Sequence, residues 1–419
     1  MHKFETFKNK IVFFDIMISQ ESIEGVVLSQ KNMFAARDKI IDRELTIKLQ
    51  NKFAIIISGI RRSGKSTLMK IMARNVGKCY YINFEDPRLA GFDLSDFERL
   101  ESAFKKIYGE SNYYFYDEIQ IIDKWEFHVR KLLDQKKFVI ITGSNASLLS
   151  RELGTKLTGR NLRYEIFPFS YTEYLKFTNK QSDVSSFNEY LKMGGFPEYV
   201  LLRDQKILND LLSDILQRDI AVRHKIRNTR QLNELAVFLI TNVTKEFSFN
   251  NLRKMFNFGS TNSVSQFISF LEDSYLVFTL SKFDYSLRKQ SVNPKKIYVI
   301  DNGLVVQNSK SYTEDLGKLL ENMVFICLKS SQKKIFYYRD VNECDFVIRQ
   351  GSKITEAYQV CYNLDDLNRK REIDGLMEVL KKFNLKVGTI LTYNQQDEFS
   401  IENRKINIVP LWKWMMEKR

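Results

Sequence analysis

Residues 59–66, Gly-Ile-Arg-Arg-Ser-Gly-Lys-Ser, constrain the fold more than any other stretch of the chain. They match G-x-x-x-x-G-K-[ST], a pattern that works only as a loop between a strand and a helix. Both flanks fit. Phe53–Ile57 is a short apolar β-type run, and Leu68, Met69, Ile71 and Met72 continue at helical spacing. Gly59 and Gly64 leave the backbone free to turn N–H groups inward around phosphates, and the helix N-terminus adds its positive end. In such a loop Lys65 reaches the β- and γ-phosphates and Ser66 ligates Mg²⁺. Gly59, Ile60, Arg61, Arg62, Ser63, Gly64, Lys65, Ser66 and Thr67 are therefore the expected seat of ATP with Mg²⁺.

Such a loop needs an acid on the metal side. The aromatic β-type run NYYFYDE at 112–118 ends in Asp117 and Glu118. Asp117 suits the metal shell, and Glu118 suits orientation and deprotonation of an attacking water. The neighbouring Glu favours hydrolysis over transfer to another substrate. A third strand, Phe138–Thr142, ends in Gly143-Ser144-Asn145, so Ser144 or Asn145 is placed to touch the γ-phosphate or the lytic water. A polar helical stretch is expected at Ser147–Leu157, then Thr158-Gly159-Arg160, then a strand at Leu162–Phe167. Arg160 would project into the nucleotide of a neighbouring subunit and stabilise transition-state charge there.

This order of phosphate loop, strand-terminal Asp-Glu, strand-terminal Gly-Ser-Asn and Gly-Arg resembles the AAA+ ATPases. The segments YINFEDPRL (81–89), ITGSNASLLS (141–150), LTGR (157–160), FPFSYTEYL (167–175), GGFPEY (194–199) and DILQRDI (214–220) narrow the resemblance. They are similar to prokaryotic AAA-family ATPases with a C-terminal domain of unknown function, from about residue 37 onward. The resemblance implies an α/β fold with a P-loop AAA+ parallel-sheet core. It also implies phosphate and Mg²⁺ contacts for Lys65 and Ser66, and the metal and water acids at Asp117 and Glu118. Ser144 or Asn145 becomes the γ-phosphate sensor, Arg160 the arginine finger, and Arg218 a lid arginine on the nucleotide. The implied assembly is a homo-oligomer, a hexamer, that acts on a nucleic-acid or protein partner. The alternative on the same loop is a slow nucleotide-gated switch or binding module.

The remainder divides by pattern. Residues 1–36 carry no chemistry beyond a β-type run at Lys10–Ile18, and the ATPase core is expected over 37–167. Residues 168–228 read as a helical lid. Residues 229–295 read as three short helices and a hairpin, the layout of a winged helix. Lys282, Arg288, Lys289, Lys295 and Lys296 stand against Asp284 there, a basic wing suited either to DNA phosphates or to contacts within the protein. Lys+Arg 65 against Asp+Glu 51 gives a net charge of +14, which favours anionic partners without locating them.

Residues 296–419 resemble a restriction-endonuclease-like α/β core, with Glu321 on a helix, Asp345 on a strand and Gln359-Val360-Cys361 one strand later. Gln359 stands where that pattern needs Glu, and Cys361 where it needs Lys. A site without that acid and that cation is expected to be inactive, kept for binding or assembly. Tyr393, Pro410, Trp412 and Trp414 read as core and anchor residues. Four cysteines without metal spacing read as reduced thiols of a cytoplasmic protein, and no run reaches the roughly 18 apolar residues of a membrane span. With 5 prolines and 17 glycines in 419 residues there is no long flexible linker, so the domains are expected to pack closely.

Overall fold

The computed structural model describes residues 18–35, 41–146, 157, 159–308 and 315–417. The expected strand at Lys10–Ile18 lies outside these residues except for Ile18. The expected helix at Ser147–Leu157 lies outside them except for Leu157.

Five strands form the first sheet: β1 (Ala54–Ser58), β2 (Tyr80–Asn83), β3 (Tyr113–Asp117), β4 (Phe138–Gly143) and β5 (Asn161–Glu165). The order is β2-β3-β4-β1-β5 and every pairing is parallel. All five residues of β1 are buried, because helices cover both faces of a parallel sheet. Helix α2 (Lys65–Val76) follows β1, α3 (Phe97–Tyr108) follows β2, and α4 (Trp125–Asp134) follows β3.

Helix α1 (Gln20–Ala35) lies where the sequence suggested no element. Ile23, Val26, Val27 and Gln30 are spaced for one helical face, and that face is buried on β2 and α3. The Gln30 amide donates to the Asn83 carbonyl at 3.0 Å and accepts from the Asn83 N–H at 2.7 Å. The otherwise open edge strand β2 is thereby covered and capped.

Beyond β5 the chain is helical at Tyr171–Thr178, Val184–Met193, Pro197–Leu202 and Lys206–Asp214. Capping boxes at Ser170/Glu173 and Asp183/Ser186 start the first two. Ile215–Val222 is a π-helix, a wider winding than the α-helix that DILQRDI suggested. Helices Thr229–Thr241, Phe249–Met255 and Thr261–Asp273 follow, with a three-stranded antiparallel sheet β6 (Glu246–Phe247), β8 (Lys295–Val299) and β7 (Val277–Ser281). The expected division between residues 295 and 296 therefore falls inside β8. Phe283, in the β7–β8 connection, packs with Phe336 and Phe383 of the C-terminal part, so the hairpin is built into its neighbour.

The C-terminal sheet runs β13 (Asp397–Ile401), β14 (Arg404–Pro410), β12 (Val387–Thr392), β11 (Lys353–Val360), β10 (Glu343–Gln350), β9 (Lys334–Arg339). The helix Arg369–Lys382 packs on β10, β11 and β12. One apolar core runs without a break from Ile60 and Phe167, through the middle helices, to Trp414 and Met415. The parts of the chain thus pack closely. Cys79, Cys344 and Cys361 are buried thiols, and no disulfide joins any of the four cysteines.

Candidate functional site at the phosphate loop

The loop 59–66 leaves β1 and enters α2 with Gly64 at φ 96°, a backbone shape that favours glycine. Gly59 sits where a Cβ would meet the Ile166 carbonyl oxygen at 2.1 Å, so the β1–β5 junction also requires glycine. The Lys65 ammonium is buried. It donates to the Gly59 and Ile60 carbonyls at 3.1 and 3.2 Å and stands 3.5 Å from the Glu118 carboxylate. Ser63 Oγ is buried in the loop without a hydrogen-bond partner among the described residues. The Ser66 hydroxyl bonds to Asp117, while Thr67 is half-buried on the first turn of α2. Ile60 is fully buried and belongs to the core shared with the following helices.

Asp117 and Glu118 end β3, two strands from β1, with β4 between them. This order lets β4 serve the acids. Thr142 on β4 gives its hydroxyl proton to Asp117, and the same oxygen accepts the Glu118 N–H at 3.1 Å. Tyr81 on β2 donates to the other Asp117 oxygen at 3.1 Å. The Ser144 N–H donates to Glu118 at 3.1 Å, and the Gln120 amide donates to the same oxygen. Asn145 is buried beside Ser144. Glu118 sits at φ 52°, a costly shape for a residue with a Cβ, held by these bonds.

The two acids are driven apart. Burial, with the adjacent Glu118 charge, pushes Asp117 above the usual carboxylate range. Burial also works against ionised Glu118, but Lys65, Gln120, Arg61 and the Ser144 N–H outweigh it and hold Glu118 below that range. The arrangement keeps Glu118 ionised beside a lysine. Ser66 and Asp117 together offer hard oxygen ligands of the kind Mg²⁺ takes, and the inward loop with its orphaned Ser63 hydroxyl suits a phosphate chain.

The arginines divide differently from the sequence expectation. The Arg61 side chain turns to Asp219 at 3.0 and 3.1 Å and to Glu85 at 2.7 Å. Arg62 pairs with Glu198 at 3.3 Å and Asp214 at 3.5 Å. Both loop arginines thus hold the helical segment by their side chains. Tyr275, between the helix Thr261–Asp273 and β7, ties that later part to the end of β1 by donating to Ser58 Oγ at 2.7 Å. Arg218 is 70% exposed, paired with Asp214, and lines a cleft beside Phe84–Phe92. Asp214 is shared with the loop residue Arg62, so among the described residues Arg218 reaches the loop only through that carboxylate. Arg223 takes the inner place. Burial lowers its pKa against the charges of Asp219 and Glu118, and its Nη1 is buried without a hydrogen-bond partner. Sequence reasoning missed Arg223, Thr142, Tyr81 and Gln120. The one available signal was a second arginine shortly after DILQRDI.

Arg160 precedes β5 at the end of the sheet away from the phosphate loop, its carbonyl accepting the Ala54 N–H. The five residues of β1 separate the two ends by roughly 15 Å. Arg160 pairs with Asp134 at 2.8 Å, and among the described residues it makes no hydrogen bond or ion pair with the loop 59–66.

A second cluster lies at the C-terminal part. Glu321, Glu343, Asp345, Gln359 and Glu372 line an open cavity of 520 Å³. Cys361 is packed in the apolar core, its thiol pushed up to about 12 by burial. The expected absence of a cation is corrected here. Lys296 enters from β8, buried, with its ammonium 3.2 Å from Glu321, 2.7 Å from Glu343 and 3.2 Å from Asp345. Lys296 therefore does not belong to the basic wing surface. Gln359 accepts from the Asp345 N–H at 3.2 Å and donates to Glu372 at 2.6 Å. Among the described residues no three His, Cys, Asp or Glu side chains are arranged to hold a metal ion. No described helix is long and apolar enough to cross a membrane.

Comparison with known proteins agrees with this geometry at the level of the domain. Residues 51–175 match the model of an AAA domain, an ATPase-like nucleotide-binding unit. Residues 184–314 match a domain of unknown function (DUF8612). The chain is 28% identical to an uncharacterized protein of Haemophilus influenzae, over 87% of this chain and 94% of that one. It is 34% identical to uncharacterized protein MJ1544 of Methanocaldococcus jannaschii, over 97% of this chain and 98% of that one. The chain thus belongs to the protein family of MJ1544, with an AAA domain over residues 51–175.

Proposed function

We propose that the chain binds ATP at residues 59–67 and hydrolyses it as an AAA+ ATPase. The observation that carries the reading is the convergence of Lys65 and Ser66 at the start of α2 with Asp117 and Glu118 at the end of β3, with Lys65 3.5 Å from Glu118. Lys65 and the loop N–H groups bind the β- and γ-phosphates. Ser66 and Asp117 would hold Mg²⁺, which would supply charge neutralisation on the phosphate oxygens. Glu118 orients a water and takes its proton as the water oxygen bonds the γ-phosphorus and the bond to the β-phosphate oxygen breaks. Ser144 or Asn145 senses the γ-phosphate from the end of β4. Arg223, rather than Arg218, is the lid arginine on the nucleotide side.

The proposed units are the core (37–167), the helical lid (168–228), a winged-helix module (229–295, extended to the end of β8) and a degenerate restriction-endonuclease-like domain. Arg288 and Lys289, both exposed, are the phosphate-facing part of the wing if DNA is the partner. Arg160, remote from its own loop, acts in trans in a homo-oligomer, a hexamer in this reading.

Lys65→Ala should abolish ATP binding. Glu118→Gln should bind ATP and stop hydrolysis, because an amide cannot accept the proton. Wild-type turnover by Glu118→Gln would remove Glu118 as the base. A slow switch is favoured by two observations, the Lys65–Glu118 contact and the fastening of Arg61 and Arg62 to the lid, since both must open around the nucleotide. Steady-state turnover on the order of 1 per second supports the machine, and much slower turnover the switch.

A further inference from the structure

The far end of the phosphate-loop helix carries a second cavity. It measures 420 Å³ and is lined by Lys31 and Phe34 of α1, Lys70, Ala73 and Arg74 of α2, Gly77, Lys78 and Cys79 of the turn before β2, and Tyr108 of α3. That volume falls in the range of about 300–1,000 Å³ typical of small-ligand sites. Four of the lining residues are cationic and none is acidic. Arg74 and Lys78 make no ion pair among the described residues. The remaining walls are aromatic. Phe34 stacks on Tyr81 with centroids 3.9 Å apart, and Lys31 lies over the Tyr108 ring at 4.8 Å while donating to the Ile107 carbonyl at 2.9 Å.

A helix C-terminus attracts cations, but its partial charge is only about −0.5. That accounts for Arg74 alone. It does not account for a lysine from α1 and another from the turn facing the same space. The α2 end is already capped, with the Gly77 N–H on the Ala73 carbonyl at 3.1 Å. Burial pushes the Cys79 thiol up to about 11, so it adds no anion to the cavity.

We propose that this cavity binds a nucleotidyl unit, with the phosphate against Arg74, Lys78 and Lys70 and the base against Phe34 and Tyr108. Fixed cations beside aromatic rings are how proteins hold a nucleotide phosphate and base without reading sequence. The unit comes either from a single strand of nucleic acid or from a free mononucleotide. The site is remote from the loop 59–66 and does not rest on the ATPase reading. Because its wall includes Lys70, Ala73 and Arg74 of α2, occupancy there also bears on the helix that starts at Lys65.

The test uses the full chain carrying Lys65→Ala in every sample, so that the loop 59–66 does not compete, and that chain is the wild type for this cavity. Binding of a fluorescein-labelled 12-mer of thymidylate is followed by anisotropy, and binding of dTMP by calorimetry. Arg74→Glu/Lys78→Glu should weaken the strand at least about tenfold and reduce its salt slope by about 1.4, the share of two phosphate contacts on a single strand. Arg74→Gln/Lys78→Gln serves if the reversed pair does not fold. Phe34→Leu keeps apolar volume, removes the ring, and should weaken binding at least about fivefold. Loss for both probes assigns the site to the nucleotide unit, and loss for the strand alone assigns it to nucleic acid. The proposal is overturned if Arg74→Glu/Lys78→Glu binds like the wild type, or if Lys353→Glu/Lys386→Glu, on the opposite end of the chain, loses as much. It is also overturned if neither probe binds, or if an oligoglutamate peptide displaces the strand as well as unlabelled thymidylate does.

Discussion

Replacing Lys296 by Met removes one positive charge from among three carboxylates. The ammonium is 6% exposed, and its partners Glu321, Glu343 and Asp345 are 15%, 26% and 9% exposed. Removing one partner of a buried pair typically costs about 3–5 kcal/mol, because the other charge stays buried without compensation. Glu321 and Glu343 keep some water, so the lower end, about 3 kcal/mol, is expected at pH 8. The sign of the pH dependence follows from Asp345, which burial already pushes up to about 7 against the pull of Lys296. Without Lys296 it rises further. A carboxyl raised in the folded state binds more protons there than in the unfolded chain, so stability falls as pH rises. Each extra bound proton changes stability by about 1.4 kcal/mol per pH unit, so moving from pH 8 to pH 6 should recover up to ~2.7 kcal/mol. Urea unfolding at both pH values, read by tryptophan fluorescence, measures this. Lys296→Met/Asp345→Asn should recover at least about 1 kcal/mol of the loss at pH 8, since it removes a charge that had lost its partner. A loss under about 1 kcal/mol at pH 8, or a penalty that grows as pH falls, would refute the picture of a buried lysine holding the carboxylates together.

Arg160→Ala should leave ATP affinity nearly intact and lower turnover about 10³-fold or more. Mixing it with Lys65→Ala protein should restore activity, and no recovery in a monodisperse monomer would return Arg160 to its surface pairing with Asp134. Arg223→Ala should lower turnover or ATP affinity at least about tenfold while Arg218→Ala stays within about twofold, as buried and exposed charges differ. Equal effects in an ATPase assay would remove the distinction. Mg²⁺-dependent cleavage of plasmid, linear or single-stranded DNA should not be seen in gel assays. Cleavage lost in Asp345→Ala would show that Lys296 rebuilds a working site in place of Cys361.

The phosphate loop was readable because all its chemistry is contiguous and its flanks carry two different periodicities. Asp117 and Glu118 were readable because a strand end places consecutive residues at a sheet edge. Helix α1 was not read, although Ile23, Val26, Val27 and Gln30 stand at helical spacing. Sixteen residues with Gly25 in the middle gave a weak pattern, and only the open β2 edge explains why they fold there. Arg223 was missed for another reason. The resemblance carried by DILQRDI pointed to Arg218, whereas the burial that singles out Arg223 exists only in the folded chain.

The C-terminal cluster marks the boundary between the two kinds of information. Sequence spacing can place Glu321, Asp345 and Gln359 on neighbouring elements, because local periodicity and element order are encoded in the nearby chain. It can also say that Cys361 is no cation. It cannot say that Lys296, 49 residues before Asp345 and on a different sheet, delivers an ammonium to within 3.2 Å of it. That contact depends on how β8 packs against the C-terminal sheet through Phe283 and Tyr337, and hence on burial summed over many distant residues. The same holds at the phosphate loop. The motif by itself determined a glycine-bearing loop between a strand and a helix. Only the strand order, with β4 between β1 and β3, decided that Thr142 and Tyr81 hold Asp117 while the Ser144 N–H holds Glu118, because hydrogen bonds act through space and not along the chain.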